Sequence, residues 1–469
     1  MESHLGPDPH RAATRPGGAA DRQPGRWLPD GGALTHGEPL RLSDPRPETG
    51  PLSRPTFPPR LQGHGGVSRL LAARALRSLG QGVLVTDFAL YLHALGWSSI
   101  AIGTLFMGSL MGNGVLAAFL GPLSDRRGRR GLVRLYELSL LASALVALLT
   151  SYAPLLVAAT LVGGFGRGAA GAAGPFGAVE QGWLARLVHR GERGRLYSFN
   201  MALGFFGLAL GAALAGLPDW LSPWLTGADA YRPLFLLVAL GAAVNWLLLG
   251  RTPDTRTRRR AAQPPAAPLT RSERGLLARL VAVNTLNSLG IGLVGPLFTY
   301  WLKLRFGIGP SAIAPVMAVA FALTGAASLG AGRLTSRFGV VLTVVAMRSS
   351  ALALLLGIAL APWYPLVGVL YVVRSVLNRG TVGARQALAV SLVSRRRSGL
   401  AASLNGLSMM LPQAGGAFVA GALLGAGWLA APFFLAAGLQ GAYVVAFRWA
   451  FRHHDPSRSS SGASVPDRN

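Results

Sequence analysis

Twelve apolar runs, separated by short polar stretches, fill the chain from about residue 68 to residue 450. Their approximate spans are 68–94, 98–121, 132–151, 154–186, 195–217 and 230–250, then 276–302, 310–332, 340–361, 364–394, 399–424 and 428–450. Most are close to the roughly 20 residues that carry a helix across the hydrocarbon core. Lipid offers no partner for backbone N–H and C=O groups, so runs of this kind must be helical. The pattern predicts an all-α integral membrane protein of twelve transmembrane helices. Segment 154–186 exceeds what a bilayer needs and is expected to tilt or to project beyond it.

The polar stretches alternate in character. Arg126, Arg127, Arg129, Arg130 and Arg134 follow segment 2; Arg186, Arg190, Arg193 and Arg195 follow segment 4; Arg395, Arg396 and Arg397 follow segment 10. The stretch 251–275 between the sixth and seventh segments adds seven more arginines. The alternate loops carry Trp97, Trp220, Trp224, Trp301, Trp363 and Trp428 instead. Short cytoplasmic loops are enriched in Lys and Arg, and Trp and Tyr favour the interfaces. Both termini are therefore expected in the cytoplasm of a multi-pass protein of the cell membrane. Residues 1–66 hold twelve prolines and no apolar run. They are expected to be a disordered tail, or an extension ahead of a true start near Val67. The organisation expected is this tail, a bundle over 67–250, a basic linker over 251–275, a second bundle over 276–451 and a disordered tail over 452–469.

Composition narrows the classes. The chain is 51% hydrophobic and 13% charged, against about 25% charged in soluble domains. The net charge of +27 sits in clusters between apolar runs. Topology explains it, and nucleic acid is not an expected partner. There is no cysteine, so neither disulfides nor thiolate chemistry is available. No Gly-x-x-x-x-Gly-Lys-Ser/Thr loop is present, so direct drive by ATP is disfavoured. No convergent catalytic set and no cofactor site stand out.

The two halves repeat. Leu76-Arg77-Ser78-Leu79-Gly80-Gln81-Gly82 matches Leu286-Asn287-Ser288-Leu289-Gly290-Ile291-Gly292 at an offset of 210. Gly121-Pro122-Leu123-Ser124-Asp125-Arg126-Arg127-Gly128 matches Gly332-Arg333-Leu334-Thr335-Ser336-Arg337-Phe338-Gly339 at 211. Gly194, Ser198 and Asn200 match Gly399, Ser403 and Asn405 at 205. A parallel repeat of six plus six helices is the plan of one large transporter class. The loop Gly121-Pro-Leu-Ser-Asp125-Arg126-Arg-Gly128-Arg129-Arg130 resembles the signature loop of the major facilitator superfamily. Arg167 four residues before Gly171 resembles that superfamily's second motif. The resemblance runs from about 68 to 450 and implies two pseudo-symmetric six-helix bundles whose helices 1, 4, 7 and 10 line a central cavity.

Intramembrane polar residues can be weighed against that plan, because they usually face protein or water. Arg77 and Gln81 on segment 1, Arg167 on segment 4, Asn284 and Asn287 on segment 7, and Arg374 and Asn378 on segment 10 are candidate solute-binding residues. The competing reading is hydrogen bonding between helices. Asp87 is the candidate proton carrier, or one half of a structural ion pair. The resemblance implies a gating latch in which Glu180 pairs with Arg129, with Gly121, Asp125, Gly128 and Arg130 completing the motif. From 275 to 454 there is no acidic residue, which favours a solute with an anionic group. The expected function is secondary active transport of a small solute by alternating access, as proton-coupled efflux of drug-like or metabolic compounds by a monomer. Uptake of an organic anion or sugar is the second reading, and a solute-sensing receptor on the same fold is the alternative of another class.

Overall fold

The computed structural model describes residues 65–166, 177–188, 193–252, 270–380 and 398–452, with 382, 385 and 388 between the last two stretches. All of them fall in one compact unit, Phe57–Asn469. The first half comprises α1 (Gly65–Ala94), α2 (Ser99–Arg127), α3 (Arg129–Leu149), α4 (Ala153–Gly163), α5 (Gly177–Leu187), α6 (Arg193–Leu214), the short α7 (Leu217–Leu221) and α8 (Arg232–Gly250). The second half comprises α9 (Arg271–Val294), α10 (Phe298–Phe306), α11 (Pro310–Phe338), α12 (Val340–Leu360), α13 (Tyr364–Gly380), α14 (Ser398–Gly425) and α15 (Ala431–Phe451). No strand occurs among the described residues.

Nine of these helices are long and apolar enough to cross a membrane. The predicted segments outside that set are 1, 4 and 10. Segment 1 is one continuous helix that carries Arg69, Arg74, Arg77 and Asp87. Segment 4 is represented by α4 and α5, with Gly164 closing α4 in the left-handed conformation at φ +66°. Segment 10 is a 17-residue helix over Tyr364–Gly380. Large apolar side chains such as Leu149, Val162, Leu210, Leu240, Val369 and Val445 point outward, as a lipid-facing surface requires. The chain is a multi-pass membrane protein.

The repeat is structural. Gly128 before α3 and Gly339 before α12 both hold positive φ, +91° and +85°. These are the equivalent loops at offset 211, and only glycine adopts that conformation without penalty. The crossing of α1 with α6 is equally telling. A Cβ on Gly82 would overlap the Leu208 carbonyl, and one on Gly211 would overlap the Leu79 carbonyl. In the second half Gly292 sits on the Gln413 carbonyl and Gly416 on the Leu289 carbonyl. All four contacts map onto each other at the sequence offsets 210 and 205. Small residues let membrane helices approach to backbone contact, and here the same approach is made twice.

The apolar core is not symmetric from end to end. At the tryptophan-rich end one continuous cluster joins the halves, with Phe88, Phe106 and Phe235 packed together with Trp301, Phe321 and Phe433. Toward the arginine-rich end the described residues form two further clusters. One lies in the first half, around Leu71, Tyr136, Trp183 and Leu249. The other lies in the second, around Val283, Val344, Tyr443 and Phe447.

Candidate functional site

Buried polar groups accompany those clusters in each half. In the first half Arg77 of α1 is clamped by two carboxylates. Its Nε donates to Glu137 Oε1 of α3 at 2.6 Å, and its Nη1 bonds Glu180 of α5. The Tyr136 ring lies 5.9 Å from the guanidinium carbon. All three charged side chains are nearly inaccessible. A charge this deep is tolerated only when paired and hydrogen-bonded.

This changes two expectations. Arg77, expected as a solute-binding cation, is engaged by two carboxylates of its own half. Glu180 is not paired with Arg129 here. Arg129 Nη1 donates instead to the Gly182 carbonyl of α5 at 2.8 Å. The signature loop therefore does reach the C-terminal part of segment 4, but through backbone. The physical reason is register: segment 4 does not continue as one helix past Gly163, and the face of α5 that carries Glu180 meets α1. Gly128 supplies the positive-φ junction ahead of α3, and Arg130 is half-buried. Gly121 and Asp125 lie within α2, with the Asp125 side chain outside the described residues. Arg167 also lies outside them.

In the second half the same places hold different chemistry. Asn287 Oδ1 accepts from Arg348 Nη1 of α12 at 3.1 Å, and the Tyr443 ring lies 5.6 Å from that guanidinium. One turn earlier on α9, Asn284 donates to Asn405 Oδ1 at 2.9 Å and to Ser408 Oγ at 3.0 Å. Both asparagines thus bond between helices, the alternative left open for them above. Gln81 and Asn378 are half-buried. Arg374 is buried on α13, and its Nε has no hydrogen-bond partner among the described residues.

Asp87 stands apart. It lies nearer the tryptophan-rich end of α1, 2% exposed, and neither carboxylate oxygen has a hydrogen-bond partner among the described residues. Val83, Leu84, Phe88, Tyr91, Tyr231, Leu234 and Phe235 surround it around a small void. Tyr231 also lines a cavity of about 390 Å³ at the tryptophan-rich end, with His93, Asp219, Thr226 and Lys303.

That end also carries cross-half contacts which the hydrophobic pattern does not reveal. Ser99 Oγ and Tyr300 Oη lie 2.7 Å apart. Asp219 Oδ2 accepts from Ser311 N at 2.8 Å and Ser311 Oγ at 2.6 Å, so an acid of the first half caps the N-terminus of α11 in the second. Gly309 leaves room for this carboxylate, since a Cβ there would collide with it. Asp219→Ala is expected to ease opening at this end by about 1 kcal/mol, the usual worth of a helix cap. A cysteine placed at Ser99 in the cysteine-free chain would then react faster with an impermeant maleimide. An unchanged rate would show that the cap does not hold the halves together.

The family model described as Major Facilitator Superfamily matches residues 70–283. An uncharacterised membrane protein of Saccharomyces cerevisiae is 26% identical over 187 residues, 39% of this chain and 42% of that protein. The chain thus spans under half the length of that curated relative. Among solved structures, the D-xylose-proton symporter aligns with a TM-score of 0.65 at 16% identity, covering 82% of this chain and 97% of that one. The nucleoside transporter NupG aligns at 0.62 with 13% identity, covering 82% and 99%. The human organic anion transporter MFSD10 aligns at 0.57 with 17% identity, again covering 82% and 99%. The family match over residues 70–283, together with a fold shared over four-fifths of the chain, makes this protein similar to the membrane transporters of the major facilitator superfamily.

Proposed function

We propose that the protein is a secondary active transporter that moves a small solute by alternating access, with the proton as coupling ion. The observation that carries this reading is the division of the core. One apolar cluster seals the tryptophan-rich end, while two further clusters, one in each half, accompany buried polar groups toward the arginine-rich end. We read this as a tight apolar seal at one end and a less apolar seam toward the other, with rocking of the halves opening each in turn. With the arginine-rich end in the cytoplasm, the less apolar seam is the one on the inner side.

Asp87 is suited to carry the proton. A carboxylate without hydrogen-bond partners in an apolar cage is expensive to charge and cheap to protonate. Only Tyr231 is shared between its cage and the cavity at the tryptophan-rich end. This neighbourhood supports a proton entry on the outer side, which suits both exchange for an outgoing solute and inward symport. Efflux is the direction carried forward from the sequence. Uptake of an organic anion is the second reading, favoured by buried arginines in the second half that have no acidic partner there.

The test is flux in proteoliposomes of fixed orientation under an imposed pH gradient. The wild type should drive solute against its gradient. Asp87→Asn should abolish that uphill movement while leaving downhill exchange. Full uphill flux in Asp87→Asn would remove Asp87 from the coupling.

A further inference from the structure

We propose that Arg348 and Arg385, with Arg374 beside them, form an anion site in the second half, and that a carboxylate or phosphate group of the solute occupies it. The inference rests on the transport reading above and names the class of solute.

The first half provides the template. Arg77, Glu137 and Glu180 form a closed triad of one cation and two anions. The repeat offsets carry these three positions to Asn287, Arg348 and Arg385. The first contact survives the transfer with donor and acceptor exchanged, because Arg348 now donates to Asn287. The charges do not survive it. Where the first half has a net charge of minus one, the second has two arginines and a neutral amide.

These arginines are buried, at 3%, 7% and 6% exposure for Arg348, Arg385 and Arg374. Arg385 and Arg374 both lie within range of the Arg348 charge. Among the described residues, Arg385 Nε and Nη1, Arg348 Nε and Arg374 Nε are buried without a hydrogen-bond partner. No acidic residue exists between 275 and 454 to neutralise them. Glu137 and Glu180 are committed to Arg77, and Asp87 lies in its own apolar cage. Buried cations without counter-charge are costly, and an anion entering between them removes the cost. Guanidinium donors match carboxylate and phosphate oxygens in a fork. The anionic group of the solute would thus supply the counter-charge between Arg348 and Arg385 that Arg77 supplies between Glu137 and Glu180 in the first half.

The experiment is thermal unfolding of the purified full chain in nanodiscs at fixed ionic strength. The probes are benzoate and inorganic phosphate, against neutral benzamide and matched chloride. Benzoate or phosphate is expected to raise the melting temperature, and benzamide and chloride are not. Arg385→Gln should weaken the response on the order of tenfold to a hundredfold in apparent affinity, as for one lost hydrogen bond to a charged group. Arg385→Glu gives Arg348 an internal partner, as Glu180 does for Arg77. It should melt above the wild type without probe and show no response to it. The proposal is overturned if neither anion stabilises the wild type, if chloride does as well as both, or if Arg385→Glu responds in full. Failure of the transport reading looks different: the anion response would persist while no solute moved in proteoliposomes. Flux of a neutral solute with no anion response would leave transport standing and remove the site.

Discussion

Arg77→Met is expected to lower stability by about 3–5 kcal/mol, the cost of removing one partner from a buried ion pair. The side chain is similar in length, so packing changes little. What changes is that Glu137, fully buried, and Glu180 lose the cation that both share. Two carboxylates facing each other without it can be accommodated only by protonation or by moving α5 away from α1. The measurement is unfolding in detergent followed by intrinsic tryptophan fluorescence. The second half suggests the rescue. Arg77→Asn combined with Glu137→Arg copies the Asn287–Arg348 contact and leaves Glu180 a cation to pair with. That double variant should recover much of what Arg77→Asn alone loses. Wild-type melting in Arg77→Met would show that the triad contributes little. Because α1, α3 and α5 belong to one half, the triad is expected to persist through the transport cycle and so to report stability rather than gating.

How much of this was legible in the sequence depends on the kind of contact. The glycines at 82, 211, 292 and 416 could be paired by offset alone, because a helix crossing at backbone distance admits nothing else and the repeat preserves it. Gly128 and Gly339 were legible for the same reason, as equivalent junctions. The partner of Glu180 was not. Helical periodicity fixes which residues share a face only while the helix continues, and segment 4 breaks after Gly163. The signature-loop resemblance pointed to Arg129, whereas α5 turns its carboxylate to α1. A signal was nevertheless present. Glu137 aligns with Arg348 and Glu180 with Arg385, and such paired reversals suggest that the positions touch. The clasp of Asp219 on Ser311 had no comparable signal. It joins a loop of one half to a helix start of the other, and neither periodicity nor repeat offset relates them.

The close glycine contacts separate two consequences that a single kind of substitution can have. Gly211→Leu places a side chain where the Leu79 carbonyl already lies, and the nearest atoms are backbone that cannot rotate away. The α1–α6 crossing lies within one half. The variant is therefore expected to lose about 3 kcal/mol, the upper range for overpacking, with Gly211→Ala intermediate. Gly112→Ala, where a Cβ meets nothing within 4 Å, should be neutral. Gly103 is also closely packed, its Cβ position 2.8 Å from both the Ala417 carbonyl oxygen and the Gly421 Cα. That crossing joins α2 to α14, between the halves, near the tryptophan-rich end. Here the clash can be relieved by parting the halves, which is the motion that alternating access requires. Gly103→Leu should therefore keep near-wild-type stability and shift the molecule toward opening at that end, seen as faster maleimide labelling of a cysteine at Ser99. Equal destabilisation by Gly103→Leu and Gly211→Leu, with no change in labelling, would mean that the seam between the halves is as fixed as the crossings within them.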